Sequence, residues 1–132
     1  QTRVLLKTQN SARQRAHTLS EDYISLTHDA ISYLIAKEVN VLGIDGFAIG
    51  SYGQGSDDNH TAFCGAGGVI LEMLDLTGVA PGDYYLVALP MKIGGAEAAP
   101  ARVLLGYCQN ENPQGSCLHN EKSTKLTFKQ GV

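Results

Sequence analysis

Two side chains in the stretch "DDNHTAFCGAGGVILEMLDL", Asp57 to Leu76, have the types needed for joint chemistry: the imidazole of His60 and the carboxylate of Glu72. Between them lies a glycine-rich reversal. His60 to about Gly65 reads as a short helix of small and apolar residues. Gly65, Gly67 and Gly68 supply the turn, because glycine reaches positive φ without steric cost. Val69 to Leu71 is an apolar run of strand length. Six to eight helical residues climb roughly 9–12 Å. Four or five strand residues return roughly 13–16 Å. A helix folded back on its following strand can therefore bring Glu72 near His60. An imidazole and a carboxylate at one point suit zinc or manganese. The same two residues at this spacing also fit unrelated structural work, and the pattern alone does not separate the readings.

The elements that must position this pair can be read in order. Arg3–Thr8, "RVLLKT", is a short apolar strand that begins almost at residue 1, as in one portion of a larger fold. Gln9–Asp22 is polar and reads as a solvated loop. Thr27 is a candidate N-cap with Asp29 in the first turn, and Ala30, Ile31, Leu34 and Ile35 form one apolar stripe at helical spacing. That helix is expected to end near Glu38, with His28 at its exposed start. Val39–Ile44, "VNVLGI", reads as a core strand, and helix followed at once by strand predicts an α/β unit. Asp45 stands directly after that strand, where it either faces a ligand crevice or caps a loop. Gly46–Asn59 reads as a long flexible loop and a candidate lid. It contains neither a phosphate-loop lysine nor a dinucleotide fingerprint.

Further on, Pro81-Gly82 marks a turn. Tyr84–Leu89 is a β-type run, and Pro90 confines it to an edge or a strand end. Ala101–Tyr107 is another strand. Asn110–Asn120 is turn-rich, and Thr124–Phe128 alternates polar and apolar residues as a terminal edge strand or an exchanged arm would.

Composition bounds the function classes. The chain has 132 residues, 43% of them hydrophobic, which is enough for one folded domain with a core. Ten Lys and Arg against 13 Asp and Glu give a net charge of −3 with no basic cluster, which argues against a nucleic-acid surface. No apolar run approaches the roughly 18–20 residues of a membrane span. Of three cysteines, Cys64 is expected to be a buried small hydrophobe. Cys108 and Cys117 bracket a loop that a disulfide would close, although free thiols are the rule inside cells. Asn59-His60-Thr61 is formally a glycosylation sequon, and a glycan beside a metal ligand would be obstructive, so a cytoplasmic setting is favoured.

Several of these pieces together resemble a known family. "RVLLKT", the helix "AISYLI", "VNVLGIDG", then His60, then "GGVILEMLDLTGVAPGDYYLVALPMKIGGAEAAPAR" are similar in kind and order to the C-terminal portion of the cyclase family of metal-dependent hydrolases. That family includes kynurenine formamidase and isatin hydrolase. The resemblance runs from about Arg3 to Leu105. It implies a three-layer β/β/α architecture of swivelling-domain topology, incomplete in this chain. Residues 1–108 would be the C-terminal part of a cyclase-like hydrolase domain and 109–132 an extension or arm. It further implies a divalent metal, zinc or manganese, with His60 and Glu72 as ligands, and hydrolysis of an amide or a strained cyclic amide. Arg102 matches a family arginine that would contact a dimer neighbour or a substrate carboxylate; an ion pair with Glu97 is the plainer alternative.

One departure matters as much. The family's "HxGTHxDxPxH" segment, which precedes the "VLL" strand and supplies the other ligands and the general base, has no counterpart here. A catalytic metal site normally takes three protein ligands plus water. The expectation is therefore an enzyme only in company: a companion chain or N-terminal fragment bears the histidine motif, such assemblies dimerise, and the strand Arg3–Thr8 otherwise leaves an open sheet edge. The alternative is a binding or structural module that kept the scaffold without the chemistry.

Overall fold

The structure, a computed structural model, describes residues 2–16, 20–53, 56–106 and 126–130, with the backbone alone at 15, 56, 57 and 126–130. The Cys108–Cys117 loop lies outside the described residues. Among the described residues nine elements follow in order: β1 (Thr2–Lys7), α1 (Asn10–Arg15), α2 (His28–Ala36), β2 (Val39–Ile44), α3 (Ser56–Gly65), β3 (Val69–Leu71), β4 (Tyr85–Pro90), β5 (Ala101–Gly106) and β6 (Leu126–Gln130). Four strands form a parallel sheet in the order β3-β2-β1-β6, and β4 pairs with β5 as an antiparallel hairpin.

Strand alternation sends side chains to two faces, and each face builds its own core. Val4 and Leu6 of β1, Leu42 and Ile44 of β2 and Ile70 of β3 meet Ile31 of α2 and Phe63 of α3 on one side. Leu5 and Leu71 point the other way, where Leu74, Leu76 and Tyr84 join Leu86, Val103 and Leu105 of the hairpin. The result is three layers, β/β/α, as the resemblance implies. Gly43 lets the hairpin-side core close on the sheet: a Cβ there would lie 2.2 Å from Leu5 Cδ2.

Helix α2 forms as its sequence pattern expects. Thr27 Oγ1 accepts from the Ala30 N–H at 3.3 Å, Asp29 sits in the first turn, and Ile31 is fully buried. The helix stops at Ala36, two residues early, and Glu38 reverses the chain with φ of 55° so that β2 starts at Val39.

Three expectations need correction. Gln9–Asp22 is not all loop, since Asn10–Arg15 is a helical turn and a half. Its signal is tertiary: Asn10 and Ser11 are buried, at 3% exposure each, and hold neighbouring segments with their side chains. Strand β1 is not an edge. It lies between β2 and β6, the latter pairing in register Arg3↔Leu126, so the described open edges are β3 and β6. Helix α3 starts at Ser56, four residues before His60, so the loop that precedes it is shorter than the sequence suggests.

Candidate metal centre

Two carbonyl-to-amide bonds and one tight contact shape the reversal between His60 and Glu72. The Gly67 N–H donates to Cys64 O at 2.9 Å and the Gly68 N–H to Phe63 O at 3.0 Å, closing the end of α3. Gly67 takes φ of 84°. Gly68 lies close against the Phe63 ring, where a Cβ would come within 2.3 Å of Cε1. Phe63 is itself fully buried, so α3 is anchored by its ring and β3 leaves directly across it.

This geometry delivers the pair. His60 Nε2 stands 2.8 Å from Glu72 Oε1, with side-chain exposures of 35% and 29%. The same Oε1 accepts from the Ile49 backbone N–H at 2.8 Å, which fixes the direction the carboxylate faces. Glu72 also lines an open cleft with Phe47, Met73 and Arg102, between the exit of β3 and the start of β5. The donor set tests well against a divalent ion. Metal–nitrogen and metal–oxygen bonds of about 2.0–2.2 Å set neighbouring ligand atoms about 3 Å apart at a six-coordinate ion and about 3.3–3.6 Å apart at a tetrahedral one. The observed 2.8 Å is the length of a direct hydrogen bond and also fits two neighbouring ligands of a six-coordinate ion, while a tetrahedral ion would require the pair to part by about 0.5 Å or more. Among the described residues no third His, Cys, Asp or Glu joins the two.

The segment from Gly46 to Gly50 is not a flexible lid. Ala48, Ile49 and Gly50 are buried, and the Leu26 N–H holds Ile49 O at 2.8 Å. Tyr23 reinforces it: its hydroxyl donates to Gly50 O at 2.5 Å and its ring meets Phe47 at 5.8 Å between centroids. Burial pushes the Tyr23 phenol above its ordinary value, and the nearby Glu72 charge pushes the same way. Asn59, next to His60 on α3, is 4% exposed; its Nδ2 donates to Leu26 O at 3.0 Å and its Oδ1 meets His28 Nδ1 at 3.3 Å. The sequon nitrogen is thereby committed inside the fold, where a glycan has no room.

The other singled-out residues lie elsewhere. Asp45 is fully buried and takes the loop-capping role, accepting from the Thr8 N–H at 2.8 Å, Thr8 Oγ1 at 2.7 Å, the Ser11 N–H at 3.0 Å and Ser11 Oγ at 2.7 Å. His28 sits at the exposed start of α2. Cys64 is exposed rather than buried, because α3 turns Asn59 and Phe63 inward and Cys64 falls on the other side. Arg102 and Glu97 are both exposed, and among the described residues no ion pair joins them. Sequence reasoning missed Tyr23, Ile49 and Asn59. Asn59 alone left a trace, as a polar residue one step from a candidate ligand.

Known proteins resemble this chain over most of its length. A kynurenine formamidase of Maricaulis maris is 38% identical over 104 residues, which is 79% of this chain and 49% of the relative. That of Sphingopyxis alaskensis is 37% identical over 84 residues, 64% of this chain and 40% of the relative. The structure of a "predicted metal-dependent hydrolase" from Bacillus stearothermophilus superposes with a TM-score of 0.69 at 39% identity, covering 76% of this chain and 47% of that one. A "potential metal-dependent hydrolase with cyclase activity" gives a TM-score of 0.69 at 39% identity, with 76% and 48% covered. No family model matches. The chain spans about half the length, or less, of the curated relatives it matches.

Proposed function

Since the chain belongs to the cyclase family of metal-dependent hydrolases, we propose that it supplies two ligands, His60 and Glu72, to the divalent-metal centre of an enzyme that hydrolyses an amide or cyclic amide. The enzyme works only when a further segment, on a companion chain or an N-terminal fragment, brings the remaining ligands and the general base, and such assemblies pair as dimers. The observation that carries this reading is the 2.8 Å approach of His60 Nε2 to a Glu72 oxygen that the Ile49 N–H already holds in place.

A bound zinc or manganese ion would lower the pKa of its water and polarise the scissile carbonyl. This chain's residues do the holding. To hold the ion, His60 would present the Nε2 lone pair as neutral imidazole with its ring proton on Nδ1, in place of the direct hydrogen bond to Glu72. Glu72 presents an anionic oxygen at the rim of the cleft, and the Ile49 amide prevents the carboxylate from swinging away. Proton abstraction from the attacking water belongs to a group outside this chain.

The test is metal analysis of the assembled protein with and without His60→Ala. The wild type retains about one divalent ion per chain through a chelating column, and His60→Ala loses it. Unchanged metal content in His60→Ala removes the imidazole from the centre. If the wild-type assembly binds no metal at all, the pair is an ordinary imidazole–carboxylate hydrogen bond, and the chain is a non-catalytic module on the same scaffold.

A further inference from the structure

The residues flanking the pair form a closed circuit. His60 follows Asn59 on α3. Asn59 Nδ2 donates to Leu26 O at 3.0 Å. The amide of the same Leu26 donates to Ile49 O at 2.8 Å. The Ile49 amide donates to Glu72 Oε1 at 2.8 Å, and that oxygen meets His60 Nε2 at 2.8 Å. Every link is either a covalent bond along the chain or a hydrogen bond of good length. Leu26 is the hub, since its C=O is held by Asn59, beside His60, and its N–H by Ile49, whose amide holds Glu72.

The hub is itself pinned. Two residues before Leu26, Ile24 is held at both backbone groups by one side chain: Asn10 Oδ1 accepts from its N–H at 2.9 Å and Asn10 Nδ2 donates to its O at 2.8 Å. Three residues before Leu26, the Tyr23 hydroxyl reaches Gly50 O at 2.5 Å, beside Ile49. Segment 23–26 therefore ties α3 to the 46–50 turn, through Leu26 to Asn59 and Ile49 and through Tyr23 to Gly50, and contributes Leu26 to the helix-side core.

We propose that segment 23–26 is a positioning strap for the metal pair, with Tyr23 and Asn59 as the positioning residues that set the separation of His60 and Glu72. The proposal rests on the metal reading above and adds to it: neither residue touches the ion, and each acts through a backbone group of another residue. Ligand geometry must be kept within about 0.5 Å for a productive site. Outer residues that orient ligands typically govern 10–100-fold of metal affinity. Asn59 acts on the helix that carries the imidazole, and Tyr23 acts on the turn that carries the amide on Glu72. Losing either frees one ligand relative to the other.

The experiment uses the assembled protein, stripped of metal and titrated with cobalt(II) against a chromophoric chelator, with the cobalt visible spectrum recorded at saturation. Asn59→Ala is expected to weaken cobalt binding about 10–100-fold and Tyr23→Phe severalfold, both with altered band positions. Leu76→Ala, on the opposite face of the sheet, serves as the structural control: it lowers the melting temperature of the metal-free protein but keeps the affinity and the spectrum. His60→Ala is run alongside. If His60→Ala abolishes cobalt binding while Asn59→Ala and Tyr23→Phe keep wild-type affinity and spectrum, the strap is overturned and the metal reading stands. If His60→Ala binds cobalt as the wild type does, both fall. Should Asn59→Ala fail to fold, Tyr23→Phe, which removes one hydroxyl, decides alone.

Discussion

Strands β2 and β3 are neighbours, run parallel, and each hands over to a carboxylate: Ile44 to Asp45 and Leu71 to Glu72. The two acids have opposite fates. Asp45 is fully buried and both its oxygens are taken, by Thr8 and Ser11, within a few residues of β1. Glu72 stays 29% exposed, and its hydrogen bonds from Ile49 and His60 both fall on Oε1. A place at the carboxyl end of a parallel strand is thus not a role. What decides is how many donors the surrounding chain spends on the group. An acid saturated by its own fold is a structural joint, and one met by a single amide and an imidazole is available to a ligand.

The sharpest way to break the contrast is to remove each acid. Asp45→Ala strips the partner from two amides and two hydroxyls at once, those of Ser11 buried and those of Thr8 partly buried. Each buried donor left unsatisfied costs about 1–3 kcal/mol, so a loss of about 3–5 kcal/mol is expected in a urea titration of the assembled protein. Glu72→Gln keeps an amide oxygen for the Ile49 N–H and removes only a partly exposed charge. Its expected cost is under about 1 kcal/mol, with metal binding abolished. The contrast fails if Glu72→Gln destabilises as much as Asp45→Ala, since Glu72 would then be a second structural joint.

A smaller effect tests the reversal that brings Glu72 back. At Gly68 an added Cβ would lie 2.3 Å from Phe63 Cε1 and 2.8 Å from the Phe63 carbonyl oxygen, which cannot swing aside as a side chain does. Gly68→Ala is expected to cost about 1–3 kcal/mol by overpacking, and to weaken metal binding by pushing β3 away from α3. At Gly65, three residues earlier, a Cβ meets nothing within 4 Å. Gly65→Ala should change stability by no more than about 0.5 kcal/mol. Equal effects at the two glycines would mean that the turn, not the Phe63 contact, sets the return path.

How far these features were legible in the sequence follows from their range. The approach of His60 to Glu72 was readable, because helix rise, glycine turn and strand rise are local and add up over one reversal. The Thr27 cap, α2, β2 and the hairpin strands were readable for the same reason. Helix α1 was not. Its "NSARQR" carries no apolar stripe, and it exists because Asn10 and Ser11 find Ile24 and Asp45 far along the chain. The place of β1 inside the sheet was hidden because its second partner is the last strand, 126–130. Ile49 was hidden most deeply. Its contribution is a backbone amide, which every residue but proline possesses, so no residue type marks it.

The smallest effect expected is a titration. The Tyr23 phenol is raised above its ordinary value first by burial and second by the Glu72 charge. A raised value in the folded protein means that the unfolded chain gives up this proton first as pH climbs. Tyr23 therefore stabilises the fold fully below the ordinary phenol range, and that contribution is lost as pH rises from there through the raised value. Neutral pH is unaffected. Glu72→Gln removes the second cause and leaves the first. The phenolate absorbance of Tyr23, isolated by difference against Tyr23→Phe, should move to a lower pH midpoint in Glu72→Gln, yet remain above that of a free tyrosine. An unmoved midpoint would place the Glu72 charge too far from Tyr23 to be felt. The strap would then steer Glu72 through the Gly50 and Ile49 backbone alone.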